Sequence, residues 1–263
     1  MIPPNVTVVA VVLGLLGPAL AAAPAGAAAA ETPRSLAFPV DRAHRYLWMR
    51  GDAKIGETSF RVRKLRDATA EKPAADSFEL ATRRRMESDR KVQESEGTLR
   101  FRADGQPLSF REKTSYTVAA EREFRGDQEL RIDFTPRTAA ITYYQNGKLD
   151  RPTEHEVALE GTTFLYGTLG IEHWNLFLKD FRAAAKVRIE LLLPEFAKVA
   201  TVEFTARDAA ERVRVGEREV AARRYDFTVT PWTDWKGSVW LDADGRMLQY
   251  ESGGLRVVLA ALP

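Results

Sequence analysis

The chain of 263 residues contains no cysteine. It therefore forms no disulfide, has no thiol nucleophile, and lacks the residue on which a bacterial lipoprotein is acylated. A domain of this length can bury roughly 70% of the surface of its unfolded chain. We therefore expect its hydrophobic core to stabilise it without covalent cross-links.

Histidine is also scarce, with only His44, His155 and His173 in the sequence. Zinc sites commonly draw on several histidine or cysteine ligands. His155 lies between Glu154 and Glu156, but neighbouring side chains on a strand face opposite sides. These three residues therefore do not converge, and we expect no metal site.

The familiar catalytic motifs are missing as well. The sequence has no Gly-x-Ser-x-Gly elbow, no glycine-rich phosphate loop, no dinucleotide fingerprint and no His-Glu-x-x-His zinc helix. Carboxylates are plentiful, but a sequence does not show which of them converge as a glycosidase pair would. We predict no catalytic residues and no cofactor, and we favour a protein that is not an enzyme over one with an activity that these motifs do not reveal.

Basic and acidic residues are nearly balanced, with 39 of the first and 37 of the second. A dedicated nucleic-acid binder would show a basic excess, so we expect no nucleic-acid partner. The densest basic run is Arg83, Arg84 and Arg85. We interpret it as a solvated strand face, with contact to an anionic headgroup or a glycan as the alternative.

Residues 1–30 have the composition of a targeting segment. Residues 6–20 are apolar, an alanine-rich stretch follows, and no charged side chain occurs before Glu31. The apolar run is shorter than the roughly 20 residues of a membrane-spanning helix, and the small residues after it offer cleavage sites. We predict a signal peptide over 1–30 and one periplasmic or secreted domain over 31–263. The alternative is an uncleaved anchor, which would be the only contact with a membrane.

Most of the remaining sequence alternates between apolar and polar residues, as strands with one buried face do. The clearest alternating segments are residues 58–65, 129–134, 200–206, 224–229 and 254–262. Turn signals separate them at Asp104-Gly105, Asn146-Gly147, Asp244-Gly245 and Gly216, because such residues tolerate the positive φ of tight hairpins. About a dozen strands are predicted, with residues 67–76 as an exposed loop.

One segment has helical instead of alternating periodicity. The spacing predicts an amphipathic helix over residues 170–184. Its apolar stripe consists of Ile171, Trp174, Phe177, Leu178 and Phe181, and its polar residues, which fall largely elsewhere, are Glu172, His173, Lys179 and Arg182. Such a helix needs an apolar surface to cover, and the hollow of a curved sheet provides one.

Tryptophan is the residue that points to a binding site. Trp48 and Trp240 lie on strands that are apolar on both faces, and Trp174 lies on the helix stripe. A mostly apolar pocket could therefore lie between helix and sheet. The predicted pocket wall is Trp48, Phe60, Trp174, Phe177, Phe181, Tyr225 and Trp240. The predicted rim is Trp232, Trp235 and His173.

Three stretches together carry a resemblance. They are WMRGDAKIGETSF with its Ile-Gly pair, IEHWNLF in the middle of the chain, and the final hairpin VWLDADGRMLQYES with the strand LRVVL. In this pattern the chain resembles uncharacterised exported bacterial proteins whose fold is similar to the LolA/LolB lipoprotein carriers. The resemblance implies a mainly β fold, in which a strongly curved antiparallel half-barrel holds one amphipathic helix in its concave face. It implies no catalytic residues.

Three functions remain open. In the first, a lipid, an acyl chain or another apolar ligand binds between the helix and the sheet. In the second, the protein is a secreted carbohydrate-binding or carbohydrate-active β-sandwich, in which Trp232 and Trp235 form an exposed, coplanar platform for the sugar near Asp234. In the third, an exposed sheet edge binds another envelope protein through its unpaired backbone groups.

Overall fold

The computed structural model describes residues 37–65, 77–88, 91–118, 121–145, 153–166, 170–181, 184–232 and 234–262. The predicted signal peptide, the predicted loop at 67–76 and the Asn146-Gly147 turn lie outside these residues. The strands of the described part are β1 (Ala43–Arg50), β2 (Ala53–Leu65), β3 (Ser77–Ser88), β4 (Lys91–Arg102), β5 (Pro107–Val118), β6 (Glu121–Phe134), β7 (Thr138–Gln145), β8 (Thr153–Ala158), β9 (Thr163–Leu165), β10 (Lys186–Leu193), β11 (Lys198–Val215), β12 (Arg218–Thr230), β13 (Lys236–Leu241), β14 (Met247–Ser252) and β15 (Leu255–Leu259).

These fifteen strands form one sheet in the order β8-β7-β6-β5-β4-β3-β2-β1-β15-β14-β13-β12-β11-β10-β9. All pairs of neighbouring strands except one are antiparallel, which confirms the predicted mainly β class with a large curved sheet. One pair departs from the prediction, because β9 and β10 are parallel. A parallel pair needs a crossover connection, and the chain between β9 and β10 contains the predicted helix.

The sheet curls so that its β9 end approaches the turn between β4 and β5. Gln106 Nε2 in that turn lies 3.4 Å from Thr162 Oγ1, just before β9. A Cβ atom on Gly105 would lie 3.3 Å from a ring carbon of Phe164 in β9. The inner face of the sheet is therefore enclosed on several sides, as in a β-barrel that remains open along one seam.

Three of the predicted hairpin turns are confirmed. Gly105, Gly216 and Gly245 adopt positive φ angles of 87°, 59° and 79°. They connect the antiparallel pairs β4–β5, β11–β12 and β13–β14. Positive φ is accessible to glycine without steric cost, so glycine at these positions correctly predicted where one strand turns into the next.

The predicted helix is shorter and less regular than its sequence pattern indicates. It consists of a 3-10 turn at Ile171–Trp174, one α-helical turn at Asn175–Leu178 (α1) and a second 3-10 turn at Lys179–Phe181. We call residues 171–181 the inner segment. Neither of the first two turns has a side-chain cap, and helices this short are unstable alone. Contacts with the sheet therefore hold the segment in its conformation.

The side chains of residues 171–179 and 181 are all buried, which corrects the predicted amphipathic pattern. The predicted polar residue Arg182 lies outside the described residues. Glu172, His173 and Lys179 were expected away from the apolar stripe, yet their exposed fractions are 1%, 3% and 5%. The reason is that the curled sheet surrounds the segment instead of supporting one side of it. None of the helices in the described ranges has the length and apolar composition needed to cross a membrane.

A substitution at Gly245 tests how closely the sheet surrounds the inner segment. A Cβ atom there would lie 2.5 Å from Lys179 Cα, a backbone atom of the inner segment. Gly254 is the matched control, because its φ of 78° is nearly the same but nothing lies within 4 Å of its Cβ position. Gly254→Ala should cost about 1 kcal/mol for the unfavourable φ alone. Gly245→Ala should cost about 3 kcal/mol because crowding adds to it.

Urea denaturation of the two variants measures the difference. Equal losses of unfolding free energy would contradict the close packing of the segment against the β13–β14 turn.

Candidate functional site

Trp174 lies at the centre of an aromatic cluster inside the curled sheet. Its side chain has no exposed surface. Its ring centroid lies between 5.2 and 5.9 Å from those of five neighbours, which are Tyr166, Phe177, Phe204, Phe227 and Tyr250. Most of these pairs have the tilted or edge-to-face geometry that aromatic rings prefer.

Four of the seven predicted pocket-wall residues meet in this cluster. Ring centroids are 5.7 Å apart for Trp174 and Phe177, 6.2 Å for Phe177 and Phe181, and 5.8 Å for Phe181 and Tyr225. The Tyr225 hydroxyl also donates to the Phe181 carbonyl oxygen. These rings fill the centre of the hollow themselves.

Two more predicted wall residues, Phe60 and Trp48, lie in a neighbouring group on the inner face. Phe60 stacks on Tyr46 at 5.5 Å. The indole N–H of Trp48 donates to Thr58 Oγ1 at 2.8 Å. The Tyr46 hydroxyl connects this group to the inner segment by accepting a hydrogen bond from Asn175.

Trp240 lies on the other face of the sheet, so its predicted place in the interior is corrected. In the β12–β13 register Tyr225 stands opposite Val239, whereas Trp240 stands opposite Arg224. Directly opposite residues share a face, and Tyr225 faces inward. The indole N–H of Trp240 donates to Glu211 Oε2 at 2.7 Å. Both faces of β13 are buried, so apolar neighbours alone could not identify the inner one.

The three predicted rim residues are also dispersed. Trp232 and Trp235 are half-buried, and their rings pack on different partners, Phe196 at 5.3 Å and Tyr166 at 4.8 Å. They do not form the exposed pair that the carbohydrate hypothesis requires. His173 lies inside the hollow, edge-on to Phe110 at 5.5 Å.

Asn175 connects the inner segment to β1 and β14 through side-chain hydrogen bonds. Its Nδ2 donates to the Tyr46 hydroxyl at 3.0 Å and to the Glu172 carbonyl oxygen at 3.1 Å. Its Oδ1 accepts from the Met247 backbone N–H at 2.9 Å. The Tyr46 hydroxyl donates to the Met247 carbonyl oxygen at 2.7 Å. Burial raises the pKa of Tyr46, so this hydroxyl keeps its proton.

A second polar group was missed by the sequence reasoning. Arg84 is buried and lies 3.3 Å from Glu172 and 3.8 Å from Glu112. The run Arg83, Arg84, Arg85 had been interpreted as one solvated face, but alternation on a strand must turn the middle residue to the opposite side. Arg83 and Arg85 are exposed, as expected. The alternation was therefore the signal that could have identified Arg84.

Burial controls the protonation of these groups. Desolvation raises the pKa of Glu172, and the Arg84 charge only partly opposes it. Desolvation and the same guanidinium lower the pKa of His173 to about 3, so this imidazole is neutral at physiological pH. Desolvation also raises the pKa of Tyr143 and Tyr166, with a further contribution to both from nearby carboxylates.

Glu112, Leu130 and Tyr143 stand in one row across β5, β6 and β7. Since Arg84 lies between Glu112 and Glu172, these polar side chains share one end of the hollow. Glu112 is 20% exposed and Tyr143 is half-buried, so this end is the more open one. We call it the polar end.

Three consecutive residues of the inner segment carry buried polar atoms without a hydrogen-bond partner among the described residues. They are Glu172 Oε2, His173 Nδ1 and Trp174 Nε1. Most buried polar atoms in native proteins are hydrogen-bonded, so each exception needs an explanation. A molecule bound beside the segment could pair with these atoms. Among the residues that the structure describes, no three His, Asp or Glu side chains are placed to hold a metal ion.

The fold and the site define a β-barrel-like protein with an aromatic interior and a polar end. No protein-family model matches the chain, and no curated protein matches its sequence. The chain is similar to a solved β-barrel-like protein of the domain of unknown function DUF1849 from Brucella abortus. The TM-score is 0.51 and the identity 11%, over 83% of this chain and 95% of that one. This likeness supports the fold alone.

A DUF1089 family protein from Pseudomonas aeruginosa is more distant. Its TM-score is 0.38 and its identity 12%, over 71% of this chain and 96% of that one.

The buried His173 gives the protein a specific response to acid. Between about pH 6.5 and about pH 3 the unfolded chain binds a proton at this histidine and the folded chain does not. Stability therefore falls as the pH drops below 6.5, at about 1.4 kcal/mol per pH unit. The variant His173→Gln lacks this contribution.

Urea denaturation at about pH 7.5 and about pH 5 measures the effect. Acidification should cost the wild type about 2 kcal/mol more than it costs His173→Gln. His155→Gln, at an exposed histidine of β8, should respond as the wild type does. A wild-type loss equal to that of His173→Gln would show that His173 is not buried in its neutral form.

Proposed function

We propose that the protein binds a lipid, an acyl chain or another apolar ligand between its inner segment and the curved sheet, without catalysing a reaction. The observation that supports this proposal most directly is that an aromatic region and a polar region lie next to each other in one hollow. An aromatic cluster around Trp174 adjoins a polar end with buried, unpaired hydrogen-bonding atoms at Glu172 and His173. Ligand sites commonly combine an apolar wall with a few polar groups that orient the ligand.

The aromatic centre of the hollow is filled by its own side chains, so the ligand would lie beside it. Away from the inner segment, fewer side chains pack on the inner face of β3–β7. There Met86, Thr114, Tyr116, Gln128 and Tyr143 point inward and are only half-buried. An apolar chain resting on these strands would place its polar head within reach of Arg84, Glu112 and Glu172.

The resemblance to the LolA/LolB carriers favours the same arrangement. Those proteins hold acyl chains in a half-barrel whose hollow contains helix. The chain differs from them in having one short inner segment where they use more than one helix. We therefore propose a carrier-like or sensor-like protein with a smaller ligand site.

We further propose that the protein acts in the periplasm or outside the cell. This follows from the apolar and alanine-rich composition of residues 1–30. Without cysteine the chain cannot be acylated as a lipoprotein.

Gln128 and Thr142 provide a matched pair for testing the ligand site. Gln128 lies on the inner face of β6, opposite Thr114, whereas Thr142 lies on the outer face of β7, opposite Arg131. Gln128→Trp should fill the space beside the inner segment and abolish lipid binding. Thr142→Trp adds the same ring outside the hollow and should leave binding intact.

Native mass spectrometry and organic extraction of the purified proteins measure bound lipid, and tryptophan emission follows titration with a fatty acid. We expect both signals in the wild type and Thr142→Trp, and neither in Gln128→Trp. Absence of lipid and of any emission change in the wild type would reject the proposal.

A second candidate function rests on the free edge at β8. Within the described ranges this strand pairs with β7 on one side only, and five of its six residues are exposed. Exposed edges can bind another protein by adding a strand. Glu154 and Glu156 would select a partner with basic side chains. Replacing both by lysine should then abolish capture of an envelope partner that the wild type retains, and unchanged capture would exclude this edge.

A further inference from the structure

The outer face of β2–β6 forms a concave groove with a volume of about 710 Å³. It lies on the side of the sheet opposite to the hollow. Its cationic lining residues outnumber its two carboxylates, Glu96 and Glu129. The cationic residues are Arg61, Arg63, Arg83, Arg111, Lys113 and Arg131.

The strand register explains how this groove arises. One row across five neighbouring strands reads Arg61, Ala81, Thr98, Arg111 and Arg131. Small side chains in the middle of the row form a floor between long side chains. With a spacing of about 4.8 Å between strands, Arg61 and Arg111 are about 14 Å apart along the row.

Several of these charges lack partners. Arg61, Arg63 and Arg111 form no ion pair with any carboxylate of the described residues. Arg83 pairs with Glu96 at 3.2 Å, but both side chains are largely exposed, and such pairs contribute little. The groove therefore presents guanidinium groups that remain available to a ligand.

Arg111 and Arg131 stand directly opposite each other on adjacent strands. Like charges in this position are destabilising. Arg131 is held by Glu129 through its Nε at 2.6 Å and stacks over Tyr144 at 4.8 Å. Two guanidinium groups so placed match a doubly charged oxyanion, and a phosphate can accept from both in bidentate fashion.

We propose that this groove binds a phosphorylated small molecule. One doubly charged phosphate group lies between Arg111 and Arg131, and a second anionic group of the same molecule reaches Arg61. The concave shape and the small-residue floor favour a discrete ligand over a flat membrane surface. Since the groove lies on the outer face, this proposal does not depend on ligand binding in the hollow.

Isothermal titration calorimetry at low salt tests the proposal, with inositol hexakisphosphate as a probe that carries several phosphates. We expect wild-type binding that is weakened at least about tenfold by Arg111→Gln and by Arg61→Gln, since each removes charge-assisted hydrogen bonds. Arg212→Gln removes an exposed arginine of β11 outside the groove. This control should change affinity less than about twofold, because its effect is limited to long-range charge.

Inorganic phosphate and vesicles of phosphatidylglycerol complete the experiment. We expect inorganic phosphate to bind much more weakly than the hexakisphosphate, because it reaches one end of the row. The proposal is overturned by equal losses in the groove and control variants, by equal affinity for inorganic phosphate, or by the absence of hexakisphosphate binding. Binding to vesicles alone would identify a membrane-contacting face and would also overturn it.

Discussion

The structure depends on satisfying the polar groups of a short, uncapped segment inside a curled sheet. A buried amide or hydroxyl without a partner costs a few kcal/mol, and residues 171–181 bring several such groups into the interior. Asn175 offsets part of this cost, because its one side chain binds the Tyr46 hydroxyl, the Met247 backbone and the Glu172 carbonyl. These hydrogen bonds favour one register of the segment against β1 and β14.

Two hairpin turns complete the enclosure of the inner segment. A Cβ atom on Gly105 would lie 2.9 Å from the Leu176 carbonyl oxygen, and one on Gly245 would lie 2.5 Å from Lys179 Cα. These turns approach the segment closely because both carry glycine at a positive φ. The same residues that form the tight turns thus also permit the sheet to close around its centre. Trp174, Glu172 and His173 are positioned by this enclosure.

The sequence predicted the class of fold well, because alternation and turn chemistry are local properties. Phe60 and Val62 face inward while Arg61 and Arg63 face outward, as their spacing indicates. The interior was harder to predict. A helical stripe does not show that a sheet will surround it, so the burial of Glu172 and His173 depended on tertiary structure. Trp240 was misplaced because β13 is buried on both faces, whereas strict alternation could have identified Arg84 as an inward residue.

The two faces of β2–β6 thus differ in chemistry although they share a backbone. The inner face combines aromatic rings with a small number of buried charges, and the outer face carries a row of arginines beside small residues, of which Arg61, Arg63 and Arg111 have no ion-pair partner among the described residues. Period-two alternation allows one stretch of strand to serve both faces, since successive side chains point to opposite sides of the sheet. The chemistry of each face depends on the sheet remaining curled around the inner segment.

Native-state hydrogen exchange measures this requirement most directly. The account predicts that the hydrogen-bonded backbone amides of residues 171–181 exchange as slowly as those of β1 and β14, because the segment is released only when the sheet unfolds. Exchange of the segment several orders of magnitude faster than that of an intact sheet would contradict it.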